Sequence, residues 1–146
     1  MEIVKFAPCH VPQVAAIERM CFSDPWSEES LATTASGEYG CGMVGLVDGA
    51  VVAYACMVSV LDEGEIVNVA THPDHRRHGY AREVLSALIE LAREQGIVTL
   101  TLEVRISNHG AQALYRSLGF EDVGTRRDFY THPREDAIIM LRTEGN

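Results

Sequence analysis

The chain has 146 residues, 47% of them hydrophobic and 23% charged, with a formal net charge of −9. This is the balance of one soluble domain, residues 1–146, with its own core, and the acidity excludes general nucleic-acid binding, which needs a basic surface. A cationic peptide is the kind of partner the charge leaves room for. Cys9, Cys21, Cys41 and Cys56 form no C-x-x-C pair and no metal-ligand spacing, and read as reduced thiols of a cytoplasmic protein. The opening "MEIVKFAP" lacks a basic region followed by an apolar run, and no apolar run approaches bilayer length. Neither a signal peptide nor a membrane partner is expected.

Residues 2–6 read as a short strand. "VPQVAAIERMCF" places apolar residues at 11, 14, 17 and 21 on one helical face, with Pro12 in the first turn. Pro25 breaks that helix, and Ser27 is the expected N-cap of another, with Glu28 and Glu29 in its first turn. Strands at 41–47 and 50–60 flank Asp48-Gly49, a hairpin signal. After an expected break at Asp62-Glu63-Gly64, "EIVNVAT" (65–71) is apolar on both faces, as an interior strand would be. "GYAREVLSALIELAREQG" carries an apolar stripe of Ala81, Val84, Leu85, Leu88, Leu91 and Ala92, closed by Gly96. In "IVTLTLEV", Leu100, Leu102 and Val104 point one way, and Thr99, Thr101, Glu103 and Arg105 the other. "SNHGAQALYRSLGF" reads as a capped helix with Ala111, Leu114, Tyr115 and Leu118 on its apolar face and Gly119 at its C-terminal end. Two strands, about 120–130 and 135–142, turn at "THPR". The order predicts a mixed α/β domain with a parallel strand–helix–strand crossover over 65–104.

The loop of that crossover is "THPDHRRHGYARE", residues 71–83, and it admits three readings. His72, His75 and His78 with Asp74 could bind zinc, but Pro73 and Gly79 prevent one continuous helical face and Arg76 and Arg77 would repel a dication. It could equally be a solvated loop before an amphipathic helix. Or it is an anion cradle. Gly79 admits close backbone approach, and the unsatisfied N–H groups of the first helical turn carry partial positive charge suited to a diphosphate. The pattern Arg76-x-x-Gly79-x-Ala81 is neither a Walker loop nor G-x-G-x-x-G.

The R-x-x-G-x-A loop followed by "SNHGAQALYRSLGF" resembles the acetyl-coenzyme A site of the GCN5-related N-acetyltransferases (GNAT). "DPWSEESL", "LDEGEIVNVATHPDHRRHGYA", "LEVRISNHGAQALYRSLGF" and "REDAIIM" are similar to the RimI-type ribosomal-protein alanine N-acetyltransferases, over about residues 3–142. The resemblance implies the GNAT fold: a strongly twisted mixed sheet, splayed at its centre and flanked by helices. Acetyl-CoA would lie in the V between the strand ending at Thr71 and the strand carrying Glu103. Val69, Ala70 and Thr71 would pair with the pantetheine arm. Arg76, Arg77, His78, Gly79, Tyr80, Ala81 and Arg82 would surround the phosphates, and Asn108 would touch the cofactor. Glu103 would be the general base and Tyr115 the general acid, with no metal. Tyr80 and His78 depart from the usual residues but remove no backbone donor. Phe129-Tyr130 stands where relatives often carry two tyrosines.

The implied reaction moves acetyl from acetyl-CoA to the N-terminal amine (Ala or Ser type) of a small-subunit ribosomal protein, by direct attack in a ternary complex. Near pH 7.4 roughly a third of α-amines are neutral against about 0.1% of lysines, a difference of about 3–4 kcal/mol. A carboxylate base therefore has the easier task on an N-terminus, directly or through water. On pattern alone, Glu103 could be a solvated carboxylate paired with Arg105, Tyr115 a core tyrosine, and Asn108 an N-cap. A phenol near pKa 10 suits the protonation of a thiolate near 8.5. Backbone N–H groups at Val69–Thr71 are candidate oxyanion donors. Pro25, Trp26 and Ser27 would either staple the second helix to the sheet or form one wall of the peptide site. Tyr130, Arg134, Glu135 and Asp136 would line the other, the acids suiting an arginine-rich N-terminus. A monomer is expected. The alternatives are a GNAT enzyme of broader range (other N-termini, lysines or a small amine), a non-catalytic module that keeps the coenzyme site, and a metal hydrolase built on the histidines.

Overall fold

Alternating apolar residues become strands, and three-to-four-residue spacings become helices, in the computed structural model, which describes residues 1–145. In chain order these are β1 (Glu2–Lys5), α1 (Val11–Cys21), α2 (Glu28–Ala35), β2 (Gly40–Val47), β3 (Ala50–Val60), β4 (Glu63–Thr71), α3 (Tyr80–Glu94), β5 (Thr99–Arg105), α4 (His109–Ser117), β6 (Glu121–Thr131) and β7 (Arg134–Thr143). Short 3-10 turns at Pro8–His10 and Pro73–His75 precede α1 and α3. The seven strands form one sheet in the order β1-β2-β3-β4-β5-β7-β6. Every pairing is antiparallel except β4 with β5.

The expected hairpin turn is present, with Asp48 at φ 51° and Gly49 at φ 79°, the left-handed pair that a tight hairpin requires. The expected break at Asp62-Glu63-Gly64 is corrected. The turn lies one to two residues earlier, with Leu61 at φ 55°, and Glu63 and Gly64 already belong to β4. Gly64 serves packing instead. A Cβ there would stand 2.9 Å from Leu100 Cδ2 and 3.3 Å from Ile97 Cγ2, so glycine lets β4 and β5 close together.

That closeness is brief. β4 and β5 pair only at Glu63↔Thr99, Gly64↔Leu100 and Glu65↔Thr101. Beyond Glu65, β4 stays with β3 but skips a register position: Cys56 pairs Asn68 and Met57 pairs Ile66, leaving Val67 as a bulge. A bulge bends its strand. Residues 66–71 thus leave β5 and expose one backbone edge, and the sheet splays at its centre as the resemblance implies.

Each face of the sheet is covered. Along β3, Ala53, Ala55 and Met57 pack with α3 and α4, while Tyr54 and Cys56 pack with α1 and α2. α3 buries Val84, Leu85, Leu88, Ile89, Leu91 and Ala92, against an expected stripe that had half-buried Ala81 in place of Ile89. Each of the larger side chains contributes about 1.5–3 kcal/mol on burial. Polar residues share these apolar faces, among them Glu18 on α1, 1% exposed, and Gln112 on α4, 4% exposed. Gln112 donates to the carbonyls of Arg105 and Ile106, at 3.0 and 2.9 Å, and so anchors the β5–α4 connection.

Candidate active site

β4 delivers its open edge directly into the loop that starts α3. Arg77 has φ 70° and Gly79 φ 75°, two left-handed residues within three positions, and Arg77 is strained there because it carries a Cβ. Gly79 is the N-cap of α3, and no side chain caps that helix. A Cβ at 79 would meet no protein atom within 4 Å, so the glycine answers to its φ and to the open space in front of it. The start of α3 opens onto a cleft of about 210 Å³ lined by Thr71, His75, Arg76, Arg77, Gly79, Tyr80, Ala81, Arg82 and Leu114. Uncapped N–H groups, a left-handed turn and flanking arginines fit a diphosphate. α2 and α4 differ: Ser27 Oγ accepts from the Ser30 N–H at 3.1 Å, and Asn108 Oδ1 from the Ala111 N–H at 3.1 Å.

Val69, Ala70 and Thr71 pair with Ala55, Tyr54 and Ala53 on one side and face the splay on the other. The Thr71 carbonyl accepts from the Cys21 thiol at 3.5 Å, and Arg76 Nη2 lies 3.7 Å from the same sulfur. Arg82 reaches across to donate to Ser117 Oγ at the end of α4. His78 stacks on Tyr80 with ring centroids 5.2 Å apart.

Glu103 projects from the half-buried face of β5, two residues past the last β4–β5 pair. Its side chain is 17% exposed. Burial, then the neighbouring Glu65 carboxyl, hold its proton above the ordinary carboxylate range; Arg126 works against them. The expected pairing with Arg105 is corrected. Arg126 of β6 is the partner, at 3.4 Å, whereas Arg105 bonds Glu135 at 3.1 Å and the carbonyls of His132 and Pro133. The register explains this, because β7 brings Ala137 opposite Arg105 and the hairpin end, with Glu135, just beyond it.

Tyr115 is buried edge-on against Phe120, centroids 6.0 Å apart. Burial, with a smaller effect from Tyr130, pushes its phenol up to about 12. Tyr115 is therefore protonated throughout the physiological range. The gap to a thiol near 8.5 is therefore wider than the sequence suggests, because burial moves the phenol further from it. Tyr130 is raised by burial first, with Arg105 opposing and Glu103 and Glu135 adding to it, and it in turn acts on Tyr115. Arg105 lies over its ring at 4.2 Å.

Of the two proposed walls, the first is largely structural. Ser27 caps α2, and Trp26 packs on the α1–α2 core while its N–H donates to Glu18 Oε1 at 3.0 Å. Pro25 is exposed. In the second wall, Glu135 accepts from Arg105 and, at 2.6 Å, from the Ser107 N–H; the Ser107 side chain first, then its N–H and Arg105, hold its carboxyl below the usual range. Asp136 accepts from the Asp128 N–H at 2.8 Å. Both acids thus hold the β6–β7 hairpin in shape; Arg134 is the exposed member of the set. The walls touch: Ser23 Oγ donates to the His132 carbonyl, and His132 Nδ1 lies 3.0 Å from Asp24 Oδ2.

The three loop histidines do not converge. His72 Nδ1 accepts from the Asp74 N–H at 3.1 Å and His78 faces Tyr80. Among the described residues, no group of three or more His, Cys, Asp or Glu is arranged to hold a metal ion. A larger cavity of about 410 Å³ lies away from all of these residues, between the end of α2, the start of β2 and Gln95. No helix among the described residues is long and apolar enough to cross a membrane.

Sequence reasoning missed Glu65, Arg126, Glu18, Tyr54 and Asn68. Glu65 had a signal, being a charge in an interior strand. Glu18 had one too, since it follows 11 and 14 at helical spacing on an apolar face.

The sequence profile described as the Acetyltransferase (GNAT) family matches residues 11–120. The ribosomal protein bS18-alanine N-acetyltransferase of Escherichia coli strain K12 is 42% identical over 132 residues, covering 89% of this chain and 88% of that protein. The enzyme of the same description from Haemophilus ducreyi is 37% identical over 127 residues, covering 85% and 87%. The crystal structure of the Escherichia coli ribosomal-protein alanine N-acetyltransferase superposes with a TM-score of 0.89 at 39% identity, covering 97% of this chain and 92% of that one.

Proposed function

The chain belongs to the GNAT acetyltransferase family, and from that premise we propose that it is an acetyl-CoA-dependent Nα-acetyltransferase of a small-subunit ribosomal protein. The observation that carries this reading is the splay of the sheet. An open β4 edge leads to an uncapped helix start, and Glu103 sits just past the point where the strands part.

In this reading the N–H groups from Arg76 to Arg82 hold the diphosphate, with the arginines at the rim. The edge of Val69, Ala70 and Thr71 takes the pantetheine arm as another strand would, and its N–H groups polarise the carbonyl. Asn108 has Oδ1 occupied as a cap, so its Nδ2 is the atom that faces a ligand. Acetyl-CoA supplies the activated acetyl group when bound. Glu103 takes a proton from the substrate α-amine, and Tyr115 donates to the departing sulfur as charge builds there. Because its phenol sits near 12, Tyr115 acts chiefly as a hydrogen-bond donor until late in C–S cleavage. Tyr130 and the α1–α2 loop at Pro25, Trp26 and Ser27 frame the approach of the peptide. Arg134, Glu135 and Asp136 shape its far side, and the overall charge of −9 attracts a cationic N-terminal segment. The enzyme works as a monomer in the cytoplasm.

The test is acetyl transfer to paired peptides that carry the N-terminal sequence of a small-subunit ribosomal protein, with the α-amine free or blocked. Mass spectrometry should find acetyl only on the free α-amine. Transfer that survives blocking would instead assign a broader enzyme that acts on lysines or small amines.

A further inference from the structure

We propose that Glu65 is a second carboxyl of the catalytic machinery and works with Glu103 as a pair, a role that rests on the reading of Glu103 as the base. Glu65 is the last β4 residue paired with β5, opposite Thr101, and Glu103 follows on the same face of β5 two residues later. Both are half-buried, and that register sets the two carboxylates side by side on one face of the sheet, where Glu65 acts on Glu103. The charged groups around them are few. β6 contributes Arg126 at 3.4 Å, 57% exposed, and Tyr130; β5 contributes Arg105, already engaged by Glu135 of β7; α4 contributes Tyr115 behind Tyr130. The one guanidinium paired with Glu103 is thus largely solvated, and the Glu65 carboxyl lies beside Glu103 on the other side. Two like charges in one half-buried place destabilise each other unless they share a proton, so as structure this arrangement is a poor one.

As chemistry it has a use. The substrate arrives largely as an α-ammonium. Over one turnover the N–C bond forms, the C–S bond breaks, and the nitrogen sheds two protons. One of them replaces the proton that Tyr115 gives to the sulfur, so the other must leave the site. Glu103 accepts that proton, and Glu65 shares it through an O–H···O contact and passes it to water at the half-exposed edge. The Glu65 negative charge also makes Glu103 a stronger base than an isolated glutamate.

The experiment uses the whole chain labelled with 13C-glutamate, as wild type, Glu65→Gln, Glu65→Asp and Glu103→Gln. In Glu65→Gln the Glu103 carboxyl should titrate at lower pH than in wild type. With both substrates saturating, kcat for the free-amine peptide should fall about 3- to 10-fold, short of the roughly 10²–10⁴-fold loss expected of Glu103→Gln. KM for acetyl-CoA should not move, Glu65→Asp should recover most of kcat, and the double variant should be no slower than Glu103→Gln alone. An unmoved Glu103 titration, an unmoved kcat, or additive losses would overturn the pair. Wild-type protein that acetylates no α-amine would remove the parent reading and this proposal together. An active wild type indifferent to Glu65→Gln removes this proposal alone.

Discussion

Two glutamates, one on each side of the splay, are buried in opposite ways. Glu18 on α1 is 1% exposed and receives three hydrogen bonds: from the Tyr54 hydroxyl at 2.5 Å, the Trp26 N–H at 3.0 Å and Asn68 Nδ2 at 3.2 Å. Those donors come from β3, the α1–α2 loop and β4, so one carboxyl group ties three elements together. Glu103 has a guanidinium at 3.4 Å and a second carboxyl beside it. A polar group whose partners satisfy it contributes to the fold, whereas one left partly unsatisfied is held ready to react. The pair separates the chain's architecture from its chemistry more clearly than burial does, since the more deeply buried glutamate is the structural one.

The largest effect expected from breaking this contrast is on rate. Glu103→Gln keeps the shape and removes the base, so kcat for an N-terminal peptide should fall by about 10²–10⁴-fold, with acetyl-CoA affinity unchanged. Steady-state kinetics with isothermal titration of the coenzyme would read both quantities. A variant with full turnover would return Glu103 to the role of a surface ion-pair partner of Arg126.

Glu18 should answer in stability instead. Glu18→Ala removes the acceptor of three donors in a buried place, and leaving buried donors unpaired should cost about 2–4 kcal/mol in total. Urea unfolding should show that loss as a lower midpoint with an unchanged slope. At temperatures where the variant is folded, its kcat should stay near wild type, while KM for the peptide rises because the Trp26 loop has lost its tether. A kcat loss as large as that of Glu103→Gln, with KM unchanged, would dissolve the distinction between the two glutamates.

Sequence periodicity disclosed nearly all the elements, because each strand and helix advertises its buried face locally. Gly79 marked the left-handed, uncapped start of α3 in the sequence, and Glu103 stood out only through resemblance. Periodicity could not disclose Glu65 beside Glu103, since that placement depends on the parallel register of β4 on β5, across 38 positions of chain. Nor could it show that Glu135 and Asp136, acids on a hairpin, bond Arg105, Ser107 and Asp128. Register also explains the misplaced break. Gly64 looks like a turn residue in one dimension and proves to be the point where two strands nearly touch.

The uncapped start of α3 sharpens the same lesson through backbone rather than side chains. Gly79→Val puts a β-branched residue at φ 75° and fills the space in front of the helix, so acetyl-CoA binding should weaken about tenfold or more. His75→Ala should change it by less than about threefold, since that ring packs on His72 rather than on the helix start. Titration calorimetry of the two variants makes the comparison. Equal losses would move phosphate recognition from the N–H groups to the side chains.

The smallest effect concerns stability against pH, and its sign separates the glutamates independently of turnover. Burial and Glu65 raise the Glu103 pKa in the folded chain above its unfolded value. Between those two values the folded state binds more protons than the unfolded one, so stability falls as pH rises through that window and stays lowered above it. Glu103→Gln removes the penalty. Its melting temperature should match or lie below that of wild type under conditions acidic enough to protonate Glu103 in both states, and exceed it near pH 7. Glu65→Gln should show the same sign, because it relieves the same repulsion. Calorimetry at the two pH values reads the difference directly. A Glu103→Gln variant less stable than wild type at pH 7 would mean that the ion pair with Arg126 outweighs desolvation, and the strained carboxyl would then be a satisfied one like Glu18.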